Sequence, residues 1–149
     1  MQRQSSPNRQ RRSGAVVVEM AIVLPIFMMV VWGIVEFGRA MMVGQLVTNA
    51  ARYGAREAIL DGSTNAVVTA SVQQFLVDTV KGIKGSDVTV KVLVTPGTGN
   101  PDPKNDLATS RLKDICNVTV TIPYSKVAYF SATFLKTASL RGSCSMRHE

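Results

Sequence analysis

The residue whose type and setting most clearly suggest chemistry is Glu19, a carboxylic acid inside an otherwise apolar run. This run, AVVVEMAIVLPIFMMVVWGIV, extends from Ala15 to Val35 and follows Gly14. A carboxylate within an apolar span costs a few kcal/mol on insertion scales, so it needs a compensating partner. If a protease cuts after Gly14, the new α-ammonium group of Ala15 lies one helical turn from Glu19. The two opposite charges then compensate each other, within one chain or between neighbouring chains.

This pattern favours a processed N-terminus that takes part in assembly. The alternative is an acid near the membrane edge that reaches interfacial water and has no role.

Other polar side chains give weak indications of chemistry. His148 is the only histidine, and we expect it to lie in a solvated tail. The sequence contains no pair of histidines, no CxxC motif and no GxxxxGK[ST] motif, so we expect neither a metal site nor a cofactor. We also expect no catalytic residue and no enzyme activity. A small envelope enzyme remains conceivable only if residues 124–136 shape a pocket that the sequence does not reveal.

The two cysteines lie in segments with the alternating pattern of strands. If Val120 pairs with Leu140 in antiparallel strands, Cys116 faces Cys144 on the apolar side of the sheet. This register would allow a cross-strand disulfide, which is permitted in an exported domain. Two buried free thiols are the alternative.

The elements that position Glu19 begin with a membrane span. As a helix, the 21 residues from Ala15 to Val35 rise about 31 Å, enough to cross a hydrocarbon core of roughly 30 Å. Four arginines and no acid precede the run, so the positive-inside rule predicts a cytoplasmic N-terminus. The chain therefore divides into a basic, disordered leader (1–14), a transmembrane helix (15–35) and an exported α+β domain (36–149). A cleaved secretory signal is the alternative, but its apolar region should be about 7–15 residues long.

The predicted fold class is α+β, with a long N-terminal helix that is transmembrane and then amphipathic. No proline interrupts residues 36–60, and Gly62 is suited to the left-handed cap that ends the helix. Its expected inner face consists of apolar or small residues at three- and four-residue steps: Phe37, Met41, Gly44, Val47, Ala51, Gly54 and Ala58. A second helix over about 64–83, capped by Ser63, and a small antiparallel sheet of about three strands (87–95, 116–122 and 137–147) complete the domain. Residues 124–136 are either a short helix or a packed loop.

The net charge of +7 does not indicate a nucleic-acid binder. From Ala15 onward the chain has 13 basic and ten acidic residues, a net charge of only +3. No basic helix or aromatic-interleaved basic stripe remains to bind a phosphate backbone, so we expect no nucleic-acid partner.

The first third of the chain resembles a known family. Gly14, Glu19, Pro25, the run Glu36-Phe37-Gly38-Arg39, then Asn49-Ala50-Ala51-Arg52 and Ala55-Arg56 are similar to the TadE-like proteins, pilin-like components of the tight-adherence (Flp, type IVc) pilus. Related major pilins have a tyrosine after the glutamate, where this chain has Met20. The resemblance implies a pseudopilin-like subunit of the bacterial inner membrane, or of a surface pilus, with a role in pilus assembly, adherence and surface colonisation. It also implies cleavage after Gly14 by a prepilin peptidase, and other pilin-like subunits, pilus assembly proteins and membrane lipid as partners.

Several of these residues are predicted to serve helix packing. Pro25 suits a kink that helps helices pack, although neighbours can also simply tolerate it. Arg52 and Arg56 share a helical face and could pair with acids of the small domain or of a neighbour; a solvated face is the alternative. We assign Glu36, Gly38 and Arg39 to the same packing group.

A second functional hypothesis is a single-pass membrane-anchored envelope protein. Its exported domain would bind a partner or ligand, would never enter a filament and would keep its leader.

Overall fold

The structure, a computed structural model, describes residues 9–129 and 132–148, with side chains from Gly14 onward. Helix α1 spans Arg9–Ala58 and helix α2 spans Asn65–Thr79. Strands β1 (Thr89–Thr95), β2 (Ile115–Pro123) and β3 (Ser139–Arg147) form one antiparallel sheet in the order β1-β2-β3. The predicted α+β class, with a long first helix, a second helix and a three-stranded sheet, is confirmed. The chain forms two compact units, residues 1–35 and 36–149.

The first unit is an apolar helix with almost no buried surface. Every large apolar side chain from Val16 to Val35 is at least 36% exposed, and an 18-residue window reaches a mean hydropathy of 2.5. Among the described residues, α1 is the one helix long and apolar enough to cross a membrane. Its exposure excludes a segment folded into the core of this chain. Pro25 lies inside the helix.

The expected disorder of the leader is wrong for residues 9–14, which are already helical. The apolar segment therefore has a helical turn before it. Residues 1–8 lie outside the described part of the chain.

In the second unit, residues 36–58 of α1 and helix α2 supply the core that covers one face of the sheet. The core side chains are mostly small or β-branched, and they come from α1 (Val43, Val47, Ala50, Ala51, Ala55), α2 (Val68, Val72, Leu76) and β2 (Val118, Val120, Ile122). The predicted inner face of α1 is correct from Val47 onward but wrong for Phe37 and Met41, which are 53% and 72% exposed. Ala40 and Val43 are buried instead, because the three- and four-residue steps that connect Val47 back to Glu36 pass through these two positions.

Two glycines set how closely these layers approach. A Cβ on Gly142 of β3 would lie 2.7 Å from Thr48 Cα and 2.8 Å from the Val47 carbonyl carbon, so β3 passes directly over the backbone of α1. A Cβ on Gly54 of α1 would lie 2.5 Å from Val72 of α2. Gly54, expected on the inner face of α1, therefore lets α2 approach closely within the chain.

The predicted register of the last two strands is wrong by two residues. Val120 pairs with Gly142, Cys116 with Met146, and Cys144 with Val118. The proximity of Gly142 to the α1 backbone is compatible with this pairing, whereas the expected register would have moved Gly142 to the level of Val118. Cys116 and Cys144 are therefore diagonal rather than opposite neighbours, and both are free thiols. Burial raises the pKa of the Cys116 thiol, with a further contribution from Asp114, and this favours the unreactive protonated form.

The ends of the helices follow local chemistry. Gly62 has a φ of +78° after α1, as expected for a left-handed residue. The cap of α2 is Thr64 rather than Ser63, with the Thr64 hydroxyl accepting from the Val67 N–H. Helix α2 ends at Thr79, four residues before its expected end, so Ile83 is buried after the helix rather than within it.

His148 is buried, which contradicts the expectation of a solvated tail. Its backbone N–H donates to the Asp114 carbonyl, and its carbonyl accepts from the Lys113 N–H, both at 2.8 Å. These bonds extend the β2–β3 ladder past Arg147 and leave the side chain only 7% exposed. The sequence did not reveal this because backbone pairing places the residue regardless of its polarity.

Asp114, in the same region, organises the loop that joins β1 to β2. Its carboxylate accepts from the Asn100 side chain at 2.6 Å, from the Gly97 N–H at 2.7 Å and from the Arg111 N–H at 2.8 Å. Burial alone would raise the pKa of Asp114. The hydrogen bonds from Asn100, Gly97 and Arg111, with a contribution from nearby His148, outweigh burial and lower the pKa below its usual 3.8.

We predict that Gly142→Ala lowers the free energy of unfolding by about 1–3 kcal/mol, because the new methyl group meets helix backbone that cannot rotate away. The matched control is Gly44→Ala, where an added Cβ meets nothing within 4 Å. It should raise stability by about 0.5–1 kcal/mol through helix propensity. Denaturant unfolding of the detergent-solubilised chain measures both, and equal effects of the two substitutions would contradict the close approach.

We predict a loss of stability in acid that depends on Asp114. Since the pKa of Asp114 is lower in the folded chain than the unfolded value of 3.8, the ionised carboxylate stabilises the fold above that pH. This stabilisation is lost as the pH falls through the lower, folded pKa. Unfolding midpoints measured between neutral and acidic pH should therefore decline less in Asp114→Asn than in the parent chain. The exposed Asp78→Asn control should follow the parent.

Candidate functional site

The residues predicted for processing lie on the exposed surface of α1. Gly14, Ala15 and Glu19 are helical and exposed, and no atom lies within 4 Å of a Cβ built on Gly14. Ala15 and Glu19 are four residues apart in the helix, so they lie on the same face, one turn apart. A cut after Gly14 would make Ala15 the first residue of a helix whose N-terminal end favours a nearby anion. The geometry assumed for charge compensation is therefore present.

At the start of the second unit, the side chain of Glu36 binds the backbone of a distant loop. Its carboxylate accepts N–H hydrogen bonds from three consecutive residues: Leu135 at 2.8 Å, Phe134 at 3.1 Å and Thr133 at 3.2 Å. Glu36 is only 6% exposed. Successive N–H groups that converge on one anion form a recurrent backbone binding arrangement, and here the anion belongs to the protein itself.

Tyr124 adds a second bond to the same residue. Its hydroxyl donates to the backbone carbonyl of Glu36 at 2.9 Å, and the ring is 1% exposed. Burial and the Glu36 carboxylate raise the pKa of Tyr124, more than Arg39 lowers it, and so keep the hydroxyl protonated as a donor. Tyr124 begins a single 3₁₀ turn, Tyr124–Lys126, directly after β2.

Arg39, one helical turn after Glu36, binds an earlier part of the same loop, at Val127 and Tyr129. Its Nε donates to the Val127 carbonyl at 3.0 Å, and one terminal nitrogen donates to the Tyr129 hydroxyl at 3.2 Å. The guanidinium also lies 4.3 Å from the centre of the Tyr129 ring, a cation–π distance. We call Glu36, Arg39 and Tyr124, with the loop residues they bind (Val127, Tyr129 and 133–135), the Glu36–Arg39 clamp.

The structure distinguishes between the two alternatives for residues 124–136, a short helix and a packed loop. Apart from Phe130 and Ser131, which lie outside the described residues, this segment is a 3₁₀ turn and a packed loop rather than a helix. The sequence did not reveal its partner, because an irregular loop has no periodicity that marks an inner face. The only signal was the unusual concentration of aromatic residues.

The other predicted packing residues remain available on the surface. Gly38 is exposed, and a Cβ there would meet nothing within 4 Å. Arg52 and Arg56 are exposed as well, and within the part of the chain described here they form no ion pair with the small domain. Their pairing with a neighbouring subunit stays a prediction.

The described residues contain no group of three or more histidine, cysteine, aspartate or glutamate side chains that could hold a metal ion.

We predict that Glu36→Ala releases the loop from α1, because three N–H groups lose their acceptor at once. Hydrogen–deuterium exchange of the amides at 133–135 should become much faster, and proteolysis of the loop should increase. The control is Asp78→Ala, an exposed acid that accepts one bond from the Gln74 side chain. Unchanged protection at 133–135 in Glu36→Ala would show that the carboxylate does not hold the loop.

A comparison with protein-family models matches residues 14–56 to a family described as TadE-like protein. Neither the curated proteins nor the solved structures contain a match to the chain. The matched region contains all the residues proposed for processing and helix packing: Gly14, Ala15, Glu19, Pro25, Glu36, Gly38, Arg39, Arg52 and Arg56. This family implies a pilin-like protein associated with the tight-adherence pilus. The resemblance drawn from the sequence is thus confirmed: residues 14–56 of this chain are similar to the TadE-like family.

Proposed function

We propose that this chain is a minor pilin or pseudopilin, a structural or assembly component of a tight-adherence type IV pilus that serves adherence and surface colonisation. The observation that supports this most directly is the coincidence of two findings. The TadE-like match spans residues 14–56, and the same residues form a helix whose first part exposes apolar side chains and one acid, Glu19, and whose second part is built into a compact α+β unit.

The proposed location is the bacterial inner membrane. A single N-terminal apolar helix fits a membrane-anchored protein, and the four arginines before Ala15 support a cytoplasmic N-terminus. The unit formed by residues 36–149 would then lie in the periplasm, or on a surface pilus after assembly.

In the proposed mechanism the chain acts by assembly rather than by catalysis. The α-ammonium group that cleavage creates on Ala15 would be compensated by the Glu19 carboxylate of the same chain or of a neighbour. In a low-dielectric environment an unpaired carboxylate is costly, so the charge pair favours chains that are correctly aligned.

The surface of α1 after the apolar segment would contact neighbouring subunits. Phe37 and Met41 are exposed there, and Gly38 and Gly44 have open space above their backbones. Small residues let helices approach closely, and exposed apolar side chains beside them gain from burial. Arg52 and Arg56 lie further along the same helix, where acids of a neighbouring subunit could pair with them.

The first test is the N-terminal sequence of the protein extracted from membranes of its native host. We expect the mature chain to begin at Ala15, because Gly14 is exposed on the helix and precedes the apolar run. A chain that retains residues 1–14 would instead support the alternative, a membrane-anchored envelope protein that binds a partner without entering a filament.

The second arm of this test is Glu19→Gln, which removes the charge but keeps the size of the side chain. We expect fewer pili on the cell surface and normal recovery in the membrane fraction, since the apolar run is intact. The control is Glu57→Gln on the same helix, where the carboxylate accepts a bond from Ser71. Normal piliation with Glu19→Gln would remove this acid from the mechanism.

A further inference from the structure

Two aromatic side chains of the Glu36–Arg39 clamp point away from the core although their loop is held firmly. Tyr129 is 66% exposed and Phe134 is 49% exposed. Single exposed apolar residues are common in proteins. Here, however, the exposed Phe37 is adjacent in sequence to Glu36, so three large aromatic side chains occur around one short stretch of chain.

This stretch is bound to the first helical turn of the second unit. Glu36 follows Val35 directly in the chain, and the amide of Phe134 lies 3.1 Å from the Glu36 carboxylate. Tyr129 is bound to Arg39, one turn further along the helix. Both aromatic residues are therefore attached to the first helical turn of the second unit, Glu36 to Arg39.

We propose that Tyr129 and Phe134 lie in the headgroup region of the bilayer that Ala15–Val35 crosses, and that the clamp anchors the folded unit to the phospholipid surface. This inference rests on the membrane anchorage proposed above. Aromatic rings are enriched at the boundary between hydrocarbon and water, where one side of the ring is apolar and the other is wet.

The cationic side chains around the loop are compatible with contact to a phospholipid surface. Lys136, the residue after Leu135, is exposed, and the Arg39 guanidinium lies against the Tyr129 ring. Cationic side chains at this level can reach lipid phosphates. Lys126, at the start of the loop, is 3.4 Å from Asp87, so its charge is already compensated within the protein.

Lipid is favoured over a protein as the partner of the exposed aromatic residues, because Glu36, which binds their loop, directly follows the apolar segment in the chain. Val35 is 48% exposed and directly precedes Glu36, the residue that binds the loop. If the segment lies in lipid, the nearest environment for Phe134 is the surface of that lipid.

The test places a tryptophan in the loop of the full chain. Trp32 is the only tryptophan, so the Trp32→Phe, Phe134→Trp double variant reports from position 134 alone. It is reconstituted in phosphatidylethanolamine–phosphatidylglycerol vesicles that contain lipids brominated either near the headgroup or deep in the acyl chain. The substituted residue keeps its backbone N–H, so its bond to Glu36 is retained.

The matched control is the Trp32→Phe, Leu112→Trp double variant. Leu112 is 64% exposed and lies near the opposite end of β2, a strand of nine residues that spans roughly 30 Å. We expect a clear fluorescence loss from position 134 with shallow bromines, a smaller one with deep bromines, and none from position 112 with either.

Three results would overturn the inference, and each has a distinct meaning. If the parent chain loses Trp32 fluorescence to deep bromines but position 134 responds no more than position 112, the membrane anchorage stands and the surface contact is wrong. If Trp32 itself is not quenched, the anchorage is wrong and the surface contact is wrong with it. If position 134 is shielded from an aqueous quencher yet insensitive to brominated lipid, its partner is a protein.

Discussion

Hydrogen bonds between the Glu36 carboxylate and three consecutive backbone amides connect the start of the second unit, residues 36–149, to a segment near its end. Those amides belong to residues 133–135, almost one hundred positions later in the chain. Without this acceptor, three N–H groups of an irregular loop would need water or other partners. The Tyr124 hydroxyl donates to the Glu36 carbonyl, and Arg39 donates to the Val127 carbonyl, so the residues that follow β2 are fixed to the first helical turn of the second unit. The Glu36 carboxylate therefore holds a distant loop in place, a role that its position directly after an apolar run does not reveal.

Helix α1 meets two different requirements in one continuous stretch. From Val16 to Val35 its large apolar side chains are exposed, with Glu19 as the one acid among them, which suits a lipid or helix-packed environment. From Ala40 onward its inner face consists of alanine, valine and glycine, and the sheet and α2 pack against it at short distance. Gly142 over Thr48 and Gly54 beside Val72 show that the approach is set by the backbone rather than by interlocking large side chains. The same helix can thus serve anchorage and packing without a break.

The errors of the sequence interpretation have specific physical origins. The register of β2 and β3 was chosen to bring two cysteines face to face, but an alternating pattern permits any shift by two residues with the same faces inward. The contact of Gly142 with helix backbone is a tertiary constraint, and it is met when Gly142 pairs with Val120. His148 was assigned to solvent by its polarity and position, whereas backbone hydrogen bonds to Asp114 and Lys113 hold it against the unit. Phe37 and Met41 fit a helical period, but the buried face passes through Ala40 and Val43 instead.

Local composition and periodicity were enough to establish the apolar span, the long first helix, the second helix, the three strands and the TadE-like region, because each depends on neighbours a few residues apart. Glu19 was also evident from the sequence, since one acid in an apolar run stands out without any knowledge of the fold. The clamp could be recognised only in three dimensions. Its parts are separated by nearly the whole second unit, and most of its bonds go to backbone N–H and C=O groups, which no sequence pattern marks.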